Sequence, residues 1–220
     1  MNIINNVLDK IRIYKASKRA NSIKIGSFEE KYKSVLKWEK DGSPVPPPPF
    51  VKQYFIEKYQ KELKYSILVE TGTYLGDMIE AQTNNFKRII SIELSETLWK
   101  RAKKKFKAFP HIELIKGDSS LELSKVLRTI NEPCIFWLDG HYSGGFTALG
   151  NKICPIYDEL KAILTSDFYE HLLLIDDARL FIDKDDYPTV DEVVNYVKNY
   201  YPHSFFRIAH DTIYIVLKLD

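Results

Sequence analysis

Four places in this sequence carry residue types and spacings that could do chemistry. The first is the run Glu70-Thr-Gly-Thr-Tyr-Leu-Gly76. Its glycines at 72 and 76 let the chain turn tightly and bring backbone N–H groups and a helix N-terminus against a ligand. It is not the dinucleotide fingerprint GxGxxG, because position 74 is Tyr, and no Gly-Lys-Ser/Thr follows to make a Walker loop. The second place is Glu93, an acid about 20 residues beyond the glycine turn, where a ribose diol is gripped in nucleotide-binding sheets. The third is Gly117-Asp118-Ser119, suited to a base amino group. The fourth is a set of carboxylates: Asp139, which opens Asp139-Gly-His-Tyr-Ser-Gly-Gly145, and the pair in Asp176-Asp177-Ala-Arg179. Three carboxylates at one place repel one another unless a cation sits among them, and hard oxygens suit Mg²⁺, Mn²⁺ or Ca²⁺ rather than zinc. Such an ion would bind two substrate oxygens and lower a hydroxyl pKa.

These groups can act together only if secondary structure delivers them to one edge. Apolar runs at 65–70, 88–93, 112–116, 134–139 and 172–175 read as strands. Helical patterns at 50–63, 74–83, 95–109, 119–129, near 155–164 and at 190–200 lie between or beside them. Strands that are apolar throughout and alternate with helices imply a parallel sheet covered on both faces. The last two runs, 204–208 and 212–217, are joined only by a short turn near Ala209-His-Asp211 and must form a hairpin. The expected fold is therefore α/β: three layers, doubly wound, with a seven-stranded, mostly parallel sheet and a C-terminal antiparallel hairpin. Ligands bind at the carboxyl ends of such strands, where three successive strands each deliver one acid. Singly, Glu93 and Asp118 also read as helix caps.

The run Glu-x-Gly-x-x-x-Gly, followed by Glu93 and Asp118, resembles the class I S-adenosylmethionine (SAM)-dependent methyltransferases over roughly residues 60–220. The resemblance implies that Gly72 and Gly76 flank the methionine part of the cofactor, that Glu93 holds the ribose hydroxyls, and that Asp118 and Ser119 meet the adenine. Glu70, Thr73, Tyr74, Gly117 and Asp139 complete the expected cofactor contacts. The second half resembles the metal-dependent O-methyltransferases, including the macrocin-type enzymes that methylate sugar hydroxyls. That resemblance places Asp139, Asp176 and Asp177 on Mg²⁺ or another divalent cation. It puts His141 where a general base is found, with Asp139 beside it as a catalytic group. An imidazole near its normal pKa takes a hydroxyl proton at neutral pH. His141, Tyr142, Ser143 and Arg179 are the expected substrate contacts.

Composition bounds the rest. The chain has 220 residues, 45% hydrophobic and 28% charged, with a net charge of +2, which excludes wholesale disorder and names no polyanionic partner. Cys134 and Cys154 stand at no ligand spacing, so a disulfide framework is not expected and a reducing, cytoplasmic setting is. No segment approaches the roughly 20 apolar residues that span a bilayer. Residues 1–40 hold ten basic and four acidic residues. They read as a basic helical arm (1–43), joined by a proline-rich connector (44–50) to the transferase domain (51–220). Within the arm, Met1–Lys15 reads as an amphipathic helix. The loop 143–150 reads as a lid, Lys152 as a contact for an anionic substrate, and Asp183, Asp185 and Asp186 as a solvated loop. The expected function is O-methylation of a hydroxyl on a sugar, glycan or other polar small molecule, by a protein that forms a homo-oligomer. The alternatives are a nucleic-acid methyltransferase and a non-catalytic module of the same fold. Basic residues at 100–107 and the +6 arm keep the first alternative open. Asp139-Gly-His-Tyr142 is similar to the Asp-Pro-Pro-Tyr loop of amino-methylating enzymes but lacks both prolines.

Overall fold

The computed structural model describes residues 27–140, 154–167 and 169–218. The amphipathic segment 1–15, the loop 143–150 and Lys152 fall outside them. A capping box opens the first described helix, α1 (Phe28–Lys40): Ser27 accepts from the Glu30 N–H while the Glu30 side chain accepts from the Ser27 N–H. A turn and the prolines follow, with Val45–Pro46 in the cis form. Pro49 is the first residue of α2 (Pro49–Leu63), a position where a missing N–H costs nothing.

From there strands and helices alternate: β1 (Ile67–Thr71), α3 (Asp77–Gln82), β2 (Arg88–Glu93), α4 (Glu96–Lys105), β3 (Ile112–Lys116), α5 (Ser119–Leu127), β4 (Cys134–Leu138), α6 (Ile156–Leu164) and β5 (Leu172–Ile175). A 3₁₀ turn at Ala178–Leu180, α7 (Val190–Lys198), β6 (Phe205–Ala209) and β7 (Thr212–Val216) complete the fold. The sheet order is β3-β2-β1-β4-β5-β7-β6, with β7 antiparallel to both of its neighbours. The seven-stranded, mostly parallel sheet with a closing hairpin is the one expected. Both residues of the hairpin turn, His210 and Asp211, have positive φ, as a two-residue I′ turn requires.

Period-two alternation sends the strand side chains to two cores. Ile67, Val69 and Phe136 pack with α5, α6 and α7 on one face. Leu68, Ile135 and Trp137 pack with α2, α3 and α4 on the other. α1 lies against α2 through Val35, Trp38, Val51, Tyr54 and Phe55, and the Trp38 indole N–H donates to the Pro44 carbonyl. The N-terminal helix pair is thus packed onto the sheet assembly, and α2 runs beside the strand ends that matter below. Among the described residues no helix is long and apolar enough to cross a membrane.

Candidate active site

The chain departs to opposite sides of β1 when it forms β2 and later β4, which opens a crevice at the carboxyl ends of these strands. Register fixes what stands there. Thr71 pairs with Leu138 and Leu138 with Ile175, so the next residues, Gly72, Asp139 and Asp176, line up along one edge. The ladder continues one step into the loops. Gly72 N–H donates to the Ile92 carbonyl (2.9 Å), Asp139 N–H to Thr71 (3.1 Å), Asp176 N–H to Leu138 (3.0 Å) and Gly117 N–H to Glu93 (3.0 Å).

The glycine turn is shaped by close approach. Gly72 has φ +85°, and a Cβ there would stand 2.3 Å from the Asp139 carbonyl oxygen. Gly76 has φ +73°, and its Cβ would meet the Phe106 ring at 2.6 Å. Gly140 lies where any Cβ would press on Glu159, Ser119 and Thr71. The β1 turn and the β4 loop therefore pack backbone against backbone, and together they shape the cradle at the crevice.

Glu93 projects from the tip of β2 and is held by backbone. Its Oε2 accepts from the Tyr74 N–H and its Oε1 from the Ser95 N–H, both at 2.8 Å. The Leu94 N–H also bonds to this carboxylate, and its remaining acceptor capacity is open to a hydroxyl donor. Glu93 thus caps the following turn and also ties the glycine loop to β2. Asp118 is the N-cap of α5: its Oδ1 accepts from the Ser120 N–H (3.0 Å) and hydroxyl (2.7 Å). Ser119 is buried beside it, near Gly140.

Glu70 and Thr73 sit beneath the turn, each only 2% exposed. The Ser91 hydroxyl donates to Glu70 Oε2 at 2.5 Å, which leaves Thr73 Oγ1, 2.6 Å away, to donate to Ser91. This chain fastens the loop to β2 from below. Burial holds the Glu70 carboxyl well above its usual range, outweighing the Ser91 hydrogen bond, and the nearby charges of Asp139 and Glu93 push the same way. An acid whose folded pKa is raised stabilises the fold fully below its unfolded pKa, and loses that contribution as pH rises through the folded one. Glu70→Gln, which fixes the neutral form, is therefore expected to raise the Tm more at about pH 8 than at about pH 5. Thermal melts across that range check it, and a Tm gain that ignores pH contradicts it.

The carboxylate cluster holds a cation of its own. Lys52, from the first turns of α2, places Nζ 2.6 Å from Asp176 Oδ2 and 3.1 Å from Asp177 Oδ1. The same Nζ is 2.5 Å from Asp176 Oδ1. Burial depresses the Lys52 pKa, but Asp176, Asp177 and, more weakly, Asp139 outweigh it and hold the ammonium charged. Asp176 is pushed upward by burial, against the pull of Lys52. Its Oδ1 also accepts the Asp177 N–H at 2.7 Å. Arg179 closes the array: its Nη1 donates to Asp177 Oδ1 (2.8 Å) and to Asp211 Oδ2 in the β6–β7 turn, and its backbone N–H donates to Asp211 Oδ1 (2.9 Å).

This geometry bears on two expectations. Both oxygens of Asp176 and Oδ1 of Asp177 are engaged by the Lys52 ammonium, and Asp177 Oδ1 also by the Arg179 guanidinium. Among the described residues no group of three His, Cys, Asp or Glu side chains is disposed to hold a metal. With Lys52 in place, the lone pairs an ion would use on Asp176 are already taken. Arg179, expected on the substrate, pairs through Nη1 with the carboxylates of Asp177 and Asp211. His141, Tyr142 and Ser143 lie outside the described residues. Sequence reasoning missed Lys52 and Asp211. The signal available for Lys52 was the demand for a cation; nothing in the local sequence pointed to Asp211.

No protein-family model matches the sequence, and no curated protein does. Solved structures do. The chain is similar to methyltransferase PaMTH1 of Podospora anserina with bound SAH, S-adenosylhomocysteine, at 15% identity, 84% of this chain and 87% of that one covered, and TM-score 0.56. It is similar to the O-methyltransferase from Bacillus cereus in complex with SAH at 13% identity, coverage of 93% and 97%, and TM-score 0.55. It is also similar to the O-methyltransferase TomG of Streptomyces achromogenes, involved in tomaymycin synthesis and bound to SAM, at 15% identity, coverage of 90% and 93%, and TM-score 0.54. The architecture is thus the Rossmann-like fold of class I methyltransferases.

Proposed function

We propose that this protein is a SAM-dependent O-methyltransferase acting on a hydroxyl of a sugar or another polar small molecule. The observation that carries the reading is Glu93, whose two oxygens are fixed by the N–H groups of Tyr74 and Ser95 and which stands at the tip of β2 beside the glycine turn. That is a carboxylate preorganised for a vicinal diol beside the turn after β1. Asp118, with Oδ1 committed to its cap, has Oδ2 for a base amino group. The SAH- and SAM-bound proteins of the same fold support the choice of cofactor.

When bound, the cofactor supplies an electrophilic methyl group on a sulfonium. The chain's own residues do the rest. Gly72 and Gly76 let the β1 turn close against Asp139 and Phe106, which shapes the cofactor's cradle. Asp139, at the tip of β4 beside that cradle, and His141 two residues on take the acceptor's proton as its oxygen bonds to carbon. Positioning the acceptor in line with the methyl group supplies much of the rate. The charge-dense floor of Asp139, Asp176, Asp177, Lys52 and Arg179 favours a polar acceptor over an apolar one. Part of the basic charge that kept the nucleic-acid alternative open is neutralised within the protein: Lys100 pairs with Glu96 and Lys105 with Glu80. Two free, buried cysteines support a reducing, cytoplasmic setting.

Calorimetry with SAH tests the reading. The wild type is expected to bind, and Glu93→Ala to bind roughly 10–150-fold more weakly, the loss for hydrogen bonds to a charged group worth about 1.5–3 kcal/mol. No binding to the wild type, or equal binding to both, overturns it.

A further inference from the structure

We propose that Lys52 is the resident cation of the acceptor site: its ammonium occupies the place among Asp176 and Asp177 that a divalent ion would need, so that methyl transfer proceeds without one. The proposal rests on the methyltransferase reading for its catalytic consequence and on geometry for its substance. The Nζ lies within 2.6 Å of both Asp176 oxygens and 3.1 Å from Asp177 Oδ1. A divalent ion would need oxygens at about 2.0–2.6 Å, drawn from the same lone pairs. Ammonium and ion therefore exclude one another.

The placement of Lys52 is built. The residue on one side, Val51, is buried in the α1–α2 core, and the residue on the other, Gln53, accepts a hydrogen bond from the Gln82 side chain on its carbonyl (2.8 Å). The Gln53 side chain reaches the Asp77 carbonyl. Pro49 starts the helix and so sets how many residues separate its first turn from the sheet edge. The Lys52 side chain passes over the Trp137 ring, 5.9 Å from its centre, and is 12% exposed. A cation near a helix N-terminus opposes the helix dipole, and the first turn of α2 holds no acid to offset it. The partners that make this position favourable are Asp176 and Asp177. The proline-rich connector thereby acquires a role: it delivers a positioning residue from the N-terminal region to the strand tips. Lys52 acts through the two aspartates, holding their oxygens in fixed directions beside Asp139.

The test uses full-length protein freed of metal with EDTA and titrated with MnCl₂. Uptake is followed by water-proton relaxation and by Tm, and SAH binding is measured on every sample. Wild type is expected to show no manganese uptake and no Tm shift. Lys52→Ala is expected to bind manganese, with Tm rising about 5–10 °C at a hundredfold excess over Kd, and to lose that response in Lys52→Ala/Asp176→Asn. Two results overturn the proposal: manganese uptake by wild type that Asp176→Asn abolishes, or a folded, SAH-binding Lys52→Ala that takes up none. Where Lys52→Ala does not fold, the wild-type titration decides alone. Failure of SAH to bind wild type sinks the methyltransferase reading instead, while the manganese arms still report on Lys52.

Discussion

Gly72→Ala is expected to abolish SAH binding and to lower the Tm by about 5–15 °C, through two costs that add. At φ +85° an L side chain is strained, by about 1–2 kcal/mol. The new Cβ would also stand 2.3 Å from the Asp139 carbonyl oxygen, backbone that cannot swing aside like the end of a flexible side chain. Overpacking of this kind costs about 1–3 kcal/mol. Relief requires that the β1 turn or the β4 loop move, and these are the two walls of the cradle. Binding is therefore lost even where the fold survives. Gly42 separates the two costs. It has φ +89° but nothing within 4 Å of its Cβ position. Gly42→Ala should bear only the conformational cost, a Tm loss of about 2–6 °C, and bind SAH like the wild type. Melts and calorimetry on both variants check this. Equal losses of binding, or none at Gly72, would show that the cradle does not touch the ligand.

Much of this site was legible because the information is local. The strands β2, β3 and β5 have the bounds that their apolar runs suggest, and the short link between 209 and 212 forces the hairpin. Glycine turn, Glu93 and Asp118 fall at strand tips because strand ends are set by the same apolar runs. Where helix lengths differ, local chemistry explains it. α4 was expected to reach 109 and stops at Lys105, since Pro110 disfavours helical backbone at Phe109 and the chain turns before it. α3 was expected from Tyr74 and begins at Asp77, because Tyr74 and Gly76 both have positive φ. The cation was legible only as a need. Three carboxylates at neighbouring strand tips call for positive charge, and sequence cannot say whether an ion or a side chain supplies it. The side chain that does lies 124 residues before Asp176, on a helix whose basic residues look alike in one dimension. Likewise Asp211 reads as a turn residue until the fold brings it to Arg179, 32 residues earlier in the chain.

Lys52→Met should destabilise the protein by about 3–5 kcal/mol, because it leaves buried carboxylates without their ammonium partner. Side-chain exposures of 12% for Lys52 and 5% for Asp176 leave little water to screen or replace the pair. Asp176→Asn in the Lys52→Met background removes the stranded charge, so the double variant is expected to lose less than the two single losses added. A coupling of about 2–3 kcal/mol in denaturant titrations is the expected size for groups in direct contact. A second buried pair provides the control. Lys31 Nζ lies 2.8 Å from Glu57 Oε2, with exposures of 5% and 8%, and it joins α1 to α2 without touching the aspartates at the strand tips. Lys31→Met should also destabilise, though less, since Lys61 still reaches Glu57 Oε1 at 2.9 Å. Assayed below both melting transitions, Lys31→Met should keep its methyl-transfer rate per folded molecule. On the proposed reading, in which the aspartates it orients serve the acceptor, Lys52→Met should lose rate at unchanged SAH affinity. If both variants lose only stability, Lys52 is a structural ion pair like Lys31, and the acids at the tip of β5 have no part in positioning the acceptor.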